Sequence, residues 1–298
     1  MKHKIITFGE LMLRLSPDNN ERFTQAHSYE AVYGGGEANT AVSLANFNVD
    51  TRYVTKLPNH TIGQSAVNSL RQYGVDVSRI VRGGDQIGIY FLEKKTSQRP
   101  TNVIYNRNGS AFALATKEDF DWNSIFEGAT WFHFSGITPA ISDNMAEITI
   151  EACKEAKKRN ITVSCDLNYR SKLWSSEKAN KVMSEVCKYV DICIANEDDA
   201  VGIFGMDASK SDKEKNAYIA EELTKMFPNF KMVASVWRTE TSITTFKLQS
   251  MIYTDGKAYY SQEFFMNILD YIGAGDAYCA GIIYSLINGF EPQKACLL

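Results

Sequence analysis

Short apolar runs alternate with longer amphipathic stretches along most of this chain. Ile5-Ile6-Thr7-Phe8, Trp131-Phe132-His133-Phe134, Thr162-Val163-Ser164-Cys165, Ile192-Cys193-Ile194-Ala195 and Met232-Val233-Ala234-Ser235-Val236 each predict a buried strand. Between them the 3.6-residue period predicts helices. One over about 60–73 carries Ile62, Ala66, Leu70 and Tyr73 on one face, and others lie near 143–159, 176–189 and 277–289. Strand–helix–strand repetition predicts an α/β fold, a mostly parallel sheet flanked by helices on both faces. Ligands of such sheets sit beyond the carboxyl ends of the strands. Asp166, Asn168, Arg170, Asn196 and Glu197 all follow predicted strand ends, which puts them near that rim.

Two regions break the rhythm. Ile89–Glu93 and Asn102–Arg107 read as strands joined by a polar loop with no helix between, an antiparallel piece outside the main sheet. Residues 239–264 are also β-rich, with a hairpin signal at Asp255-Gly256. No internal repeat, low-complexity segment or linker interrupts the chain, so residues 1–298 are expected to form a single domain.

Composition narrows the function classes. A net charge of −3 with mixed signs gives no electrostatic case for nucleic acid or a membrane surface. The first residues lead into a strand rather than a signal-peptide core, and no apolar run approaches a membrane span. The six cysteines (153, 165, 187, 193, 279 and 296) include no C-x-x-C pair. Reduced, buried thiols are expected, and with them a cytoplasmic location. The four histidines are scattered, and His133 reads as a satisfied core residue.

The chemistry concentrates in two glycine-rich turns. Asp270-Tyr271-Ile272-Gly273-Ala274-Gly275-Asp276 runs straight into an apolar helix pattern. Glycines at a helix entrance present bare N–H groups, and the helix dipole adds partial positive charge, so the turn traps an anion. Asp276 at its rim is either a helix cap or the acceptor of a proton from a hydroxyl that attacks the anion. Gly34-Gly35-Gly36-Glu37-Ala38-Asn39 opens a second helix with apolar positions 38, 41, 42 and 45, and its Glu37 and Asn39 can hydrogen-bond hydroxyls. A P-loop and the protein-kinase signatures are absent. A dinucleotide site is disfavoured because Tyr278 stands where its third glycine belongs. On the predicted lid strand Val103, Tyr105 and Arg107 share a face, with Tyr90 on the neighbouring strand, and an arginine beside two phenols suits a polyhydroxy substrate bearing a carboxylate.

An early Gly-Gly-x-x-Asn element, here Gly35 to Asn39, paired with a late Asp-x-x-Gly-Ala-Gly-Asp element, here Asp270 to Asp276, resembles the ribokinase-like (PfkB) carbohydrate kinases over nearly the whole chain. Gly88-Ile89-Tyr90, Tyr105-Asn106-Arg107, Ser135 to Ala140 and Asn168-Tyr169-Arg170-Ser171-Lys172-Leu173-Trp174 look most like the 2-keto-3-deoxygluconate kinases within it. The resemblance implies a ribokinase-like sheet with a small β lid (strands near 10–15 and 88–107) that often pairs subunits. It implies ATP with Mg2+ as cofactors, a monovalent cation such as K+ as an optional addition, and Asp276 as general base. Gly34, Gly35, Gly36, Glu37, Ala38, Asn39, Tyr90, Tyr105, Arg107 and Arg170 would face the substrate. Asn168, Arg170, Gly273, Ala274 and Gly275 would form the anion hole and nucleotide side.

Departures from the family pattern touch particular sites. The family's Asn-x-x-Glu element, tied to magnesium through water, reads Asn196-Glu197-Asp198-Asp199, which leaves Glu197 and Asp199 as alternatives. Residues 293–298 read as a helix barely begun after Pro292, expected to be poorly ordered or docked on a neighbour, with the adenine side open. Phosphorylation of 2-keto-3-deoxygluconate is the leading expectation. A fructokinase or other PfkB sugar kinase is the alternative, and a catalytically silent sugar-acid-binding protein the non-enzymatic one.

Overall fold

The structure is a computed structural model that describes residues 3–297 apart from 97, 208–211, 241, 243–244 and 268–271. Asp270 and Tyr271, the first and second residues of the late motif, therefore lie outside the described residues. The main sheet runs Lys257–Tyr260, Thr245–Thr254, Met232–Glu240, Ile192–Ile194, Thr162–Asp166, Trp131–Ser135, Lys4–Phe8, Asp50–Val54, and Phe264–Asn267 also pairs with Thr245–Thr254. From Asp50–Val54 to Met232–Glu240 every pairing is parallel, as the strand–helix alternation predicts. The β-rich 239–264 stretch adds the antiparallel edge. Asp255 and Gly256 both have positive φ (49° and 73°), the geometry that matches a two-residue hairpin turn to strand twist.

Alternation along each strand divides the core into two layers. Ile6, Phe8, Phe132, Phe134, Val163, Cys165, Cys193 and Val233 point to one face, under helices that include Asp143–Lys158 and Ser176–Val186. Ile5, Trp131, Ile192, Ile194, Met232 and Ala234 point to the other, under Ala274–Ile287 and Leu44 of Gly36–Asn46. Two polar rings on this second face share one partner within it: Trp131 Nε1 donates to Ser164 Oγ at 2.7 Å, and His133 Nδ1 lies 2.9 Å from the same oxygen. Burial pushes the His133 pKa down to about 3, so the ring is neutral, as expected of a core residue. All six cysteines are free and buried. Among the described residues no helix is long and apolar enough to cross a membrane.

A second sheet, ordered Tyr29–Gly34, Met12–Pro17, Gly88–Glu93, Asn102–Asn106, forms the lid. The expected strands are present, Gly88–Glu93 and Asn102–Asn106 pair antiparallel, and Tyr29–Gly34 is an additional edge strand. Two expectations are corrected. The helix Thr61–Arg71 buries Gly63, Ala66, Val67 and Leu70, while Ile62 and Tyr73 are exposed, because its contact stripe is rotated toward the 63/67 positions. Near the C-terminus, Pro292–Ala295 docks on its own chain rather than a neighbour: Ala295 and Cys296 are buried beside Ile252 and Ile283, and Ser250 Oγ donates to the Cys296 carbonyl at 2.6 Å.

Candidate active site

The helices Gly36–Asn46 and Ala274–Ile287 meet at their first turns, which brings together two motifs from opposite ends of the chain. Gly35 lies so close to strand-end residue Glu10 that a Cβ would collide with the Glu10 carbonyl oxygen. Gly273 begins the later helix at φ +86°, a left-handed conformation that glycine adopts without strain. The first intrahelical bond there runs from Ala277 N–H to Gly273 O (2.9 Å), so the N–H groups of Ala274, Gly275 and Asp276 belong to the helix's open first turn.

Asp276 stands third in that helix yet makes no cap hydrogen bond to its start. Its Oδ2 instead accepts from Asn39 Nδ2 at 2.7 Å, and Thr40 Oγ1 donates to its backbone carbonyl at 3.2 Å. Oδ1 faces the space above Gly36, where even a Cβ would come within 3.3 Å. Burial pushes the Asp276 carboxyl above the ordinary aspartate range, while the Asn39 hydrogen bond and the charge of exposed Arg170 pull it back.

The remaining sequence-predicted residues divide between the cup and its supports. Tyr90 is half-buried on the lid and feels the charge of Asp276, and its ring lies 5.8 Å from that of Tyr105. Gly34 ends the lid strand directly before the helix turn. Glu37 is a correction: it is buried, not presented to a ligand, and its Oε1 accepts from Ser135 N–H (2.8 Å), Ser135 Oγ (2.6 Å) and Thr138 Oγ1 (2.9 Å). The second position of this helix points into the sheet, so Glu37 locks the turn onto Trp131–Ser135. Ala38 is buried on the same inward side. Arg107, expected at the substrate, is held within the lid. Only 5% exposed, it forms an ion pair with the equally buried Glu10, whose other oxygen accepts from Ser110 Oγ. Its guanidinium also lies 5.8 Å from the Tyr105 ring centre.

On the strand-end rim, Asn168 takes a positive φ (38°) and its Nδ2 donates to Asp166 Oδ2 at 3.1 Å. Asp199 is buried and accepts from Tyr169 N–H (2.7 Å) and Asn196 N–H (2.9 Å), the latter as half of a capping box. Glu197 pairs with Lys215 at 2.7 Å, whereas Asp199 lies close enough to Asp166 for its charge to be felt there. Burial, then the charges of Asp199 and Asp276, pushes Asp166 well up; burial likewise raises Asp199, and Arg170 is the cation that opposes both. Among the described residues no three ligand side chains are grouped to hold a metal ion directly. The Asp166–Asp199 pair still fits a cation reached through water, since two crowded buried carboxylates gain from added positive charge.

The chain matches the sequence pattern of the pfkB family carbohydrate kinases over residues 2–298. It belongs to that family. The kinase is 33% identical to a 2-dehydro-3-deoxygalactonokinase of Haloferax volcanii, across 100% of this chain and 88% of that protein. It is 25% identical to a 2-dehydro-3-deoxygluconokinase of Thermoproteus tenax, across 98% of this chain and 84% of that one. Among solved structures it superposes on a 2-dehydro-3-deoxygluconokinase of Thermotoga maritima with a TM-score of 0.96 and 44% identity, covering 99% of this chain and 90% of the other.

Two participants in the kinase's site carry no assignment from sequence. Asp166 was legible only as a strand-end residue; its closeness to Asp199 and Asp276 arises because the end of Thr162–Asp166 meets the first turns of the helices Glu197–Phe204 and Ala274–Ile287. Glu10 sits in Gly9-Glu10-Leu11-Met12-Leu13-Arg14-Leu15, where alternating Leu11, Leu13 and Leu15 signal a strand with Glu10, Met12 and Arg14 on its other side. That period-two signal was the available clue.

Proposed function

We propose that this carbohydrate kinase transfers the γ-phosphoryl group of ATP to 2-keto-3-deoxygluconate, with Asp276 as general base. The observation that carries the reading is the Asp276 carboxylate: unused as a cap, held on Oδ2 by Asn39, and open on Oδ1 beside a free helix N-terminus. Oδ1 takes the proton of the sugar-acid hydroxyl remote from the carboxylate as the new oxygen–phosphorus bond forms in line and the bond to ADP breaks. The first-turn N–H groups of Ala274, Gly275 and Asp276, with the Arg170 guanidinium, stabilise the charge on the transferring group. Gly34, Gly35, Gly36 and Asn39 form the floor of the sugar cup, with Glu37 and Ala38 anchoring it from below, and Tyr90, Tyr105 and Arg107 form its lid wall. Asp166 and Asp199 would hold Mg2+ through water, and the ion would supply charge neutralisation of the phosphates. The names of the similar proteins support a six-carbon 2-keto-3-deoxy sugar acid as substrate.

A coupled ADP-release assay with 2-keto-3-deoxygluconate, its galactonate epimer and fructose tests this. The highest kcat/KM is expected for the gluconate acid. Preference for the epimer changes the substrate, preference for fructose moves the kinase to the fructokinases, and no turnover with any leaves a binding protein.

The outer lid face supports pairing of two copies. Tyr29 and Ile104 are exposed there, and Phe91 is half-covered by Phe23 and Tyr29. Apolar side chains clustered on one face of a sheet gain from a partner surface. Light scattering is expected to give the mass of two chains, and Ile104→Lys to give one; a monomeric wild type removes the proposal.

A further inference from the structure

The path of the chain gives Glu10 a role that no motif assigns. The lid is built from two excursions, from Met12 to Gly34 and from Gly88 to Asn106, so the backbone passes between main sheet and lid four times. Glu10 lies in the first passage, between the strands Lys4–Phe8 and Met12–Pro17. Its carbonyl oxygen packs against Gly35 in the second, where a Cβ would stand 2.1 Å away. Its carboxylate fills the space beside Gly88, at the end of the third, where a Cβ would meet Oε1 at 2.5 Å. Arg107 and Ser110, both in the fourth, supply the ion pair and the hydroxyl that hold the same carboxylate. One residue touches all four passages.

The residue before it is fixed to the main sheet. Gly9 N–H donates to Val54 O at 3.2 Å, Tyr53 Oη donates to Gly9 O at 2.8 Å, and Glu37 Oε2 occupies the place of a Gly9 side chain. Gly9 therefore belongs to the main sheet and Glu10, one peptide bond later, to the lid. A buried ion pair with a hydroxyl partner holds one geometry, because moving either partner strands a charge away from water. The two strands that leave this cluster, Gly88–Glu93 and Asn102–Asn106, carry Tyr90 and Tyr105, and Tyr90 feels the charge of Asp276.

We propose that Glu10 is the positioning residue that seats the lid: one buried carboxylate clamps all four passages and so sets Tyr90 and Tyr105 above Asp276. At 4% exposure Glu10 has almost no surface to offer a substrate, and it acts through the strands it holds. The kinetic consequence rests on the proposed sugar cup, whereas the clamp itself is a property of the fold.

Glu10→Gln keeps the size of the side chain and removes its charge, and is compared with wild type by amide hydrogen exchange and steady-state kinetics. Exchange is expected to quicken about 10-fold in the four lid strands and to stay unchanged in Trp131–Ser135 and Thr162–Asp166. KM for 2-keto-3-deoxygluconate is expected to rise about 10-fold while KM for ATP holds. ATP is also expected to be hydrolysed without a matching yield of phosphorylated acid, because a tilted lid admits water to the transferring group. A wild type inactive on every sugar acid removes the proposed function and leaves hydrogen exchange to decide the clamp. If Glu10→Gln does not fold, by circular dichroism, Ser110→Ala carries both measurements, with changes of about 3-fold, since it withdraws one of two partners. Exchange that quickens equally in main sheet and lid, or a sugar-acid KM that stays at the wild-type value in a folded, active variant, overturns the proposal.

Discussion

Asp276→Asn is expected to lower kcat by about 10²–10⁴-fold while leaving the fold and sugar-acid binding in place. Asparagine keeps the shape and can still meet Asn39, but it cannot take the hydroxyl proton. The half-buried setting of Asp276 adds a pH signature. Its pKa is raised by burial, so the carboxylate protonates, and kcat/KM falls, at a pH above the ordinary aspartate value of about 3.9. The Asn39 hydrogen bond acts in the other direction by stabilising the charged form. Asn39→Ala is therefore expected to move the acid limb of the kcat/KM profile to higher pH. A contact that served only the sugar would raise KM and leave the limb where it was. Near-normal turnover by a folded Asp276→Asn enzyme would remove the general-base assignment.

Arg107→Leu is expected to destabilise the fold by about 3–5 kcal/mol, because it strands Glu10 as a buried carboxylate with no cation. The Glu10 pKa is already raised in the folded protein, since burial outweighs Arg107 and Ser110. A carboxyl whose folded pKa exceeds its unfolded value binds more protons in the native state, so stability falls as pH rises between the two values. Without Arg107 that window widens upward. Urea denaturation should thus show a larger loss at pH 8 than at pH 5, and Glu10→Leu in the same chain should restore most of it. An unaltered midpoint for Arg107→Leu would show that the pair contributes nothing. The variant's substrate preference is informative only where it is folded, so the neutral-sugar comparison belongs below its denaturation midpoint.

The architecture was legible in local pattern because its causes are local. Runs such as Ile5–Phe8 and Trp131–Phe134 lack the polar alternation of a half-solvated strand, which requires cover on both faces, and the structure divides their side chains between two cores. The Asp255-Gly256 turn and the helix after Gly273 follow from backbone conformations that few residues adopt. The glycine turn before the apolar helix was legible for the same reason, since glycines at a helix entrance leave the first N–H groups bare.

Which partner each polar side chain takes was decided only in three dimensions. Asn39 meets Asp276 across 237 positions of sequence, and Arg107 meets Glu10 across the lid, so neither pairing has a local signal. Glu37 and Asn39 stand two apart on one helix, yet the 200° rotation between them, about 100° per residue, sends one into the sheet and the other to Asp276. Ile62 and Tyr73 fit a helical period but fall outside the stripe that packing selected. Sequence determined the layered sheet, the lid and the glycine turn that opens the late helix, because these depend on periodicity and backbone freedom. The tertiary structure decided which carboxylate stays open, which is locked inside and which arginine is already neutralised, because those outcomes depend on contacts between segments far apart in the chain.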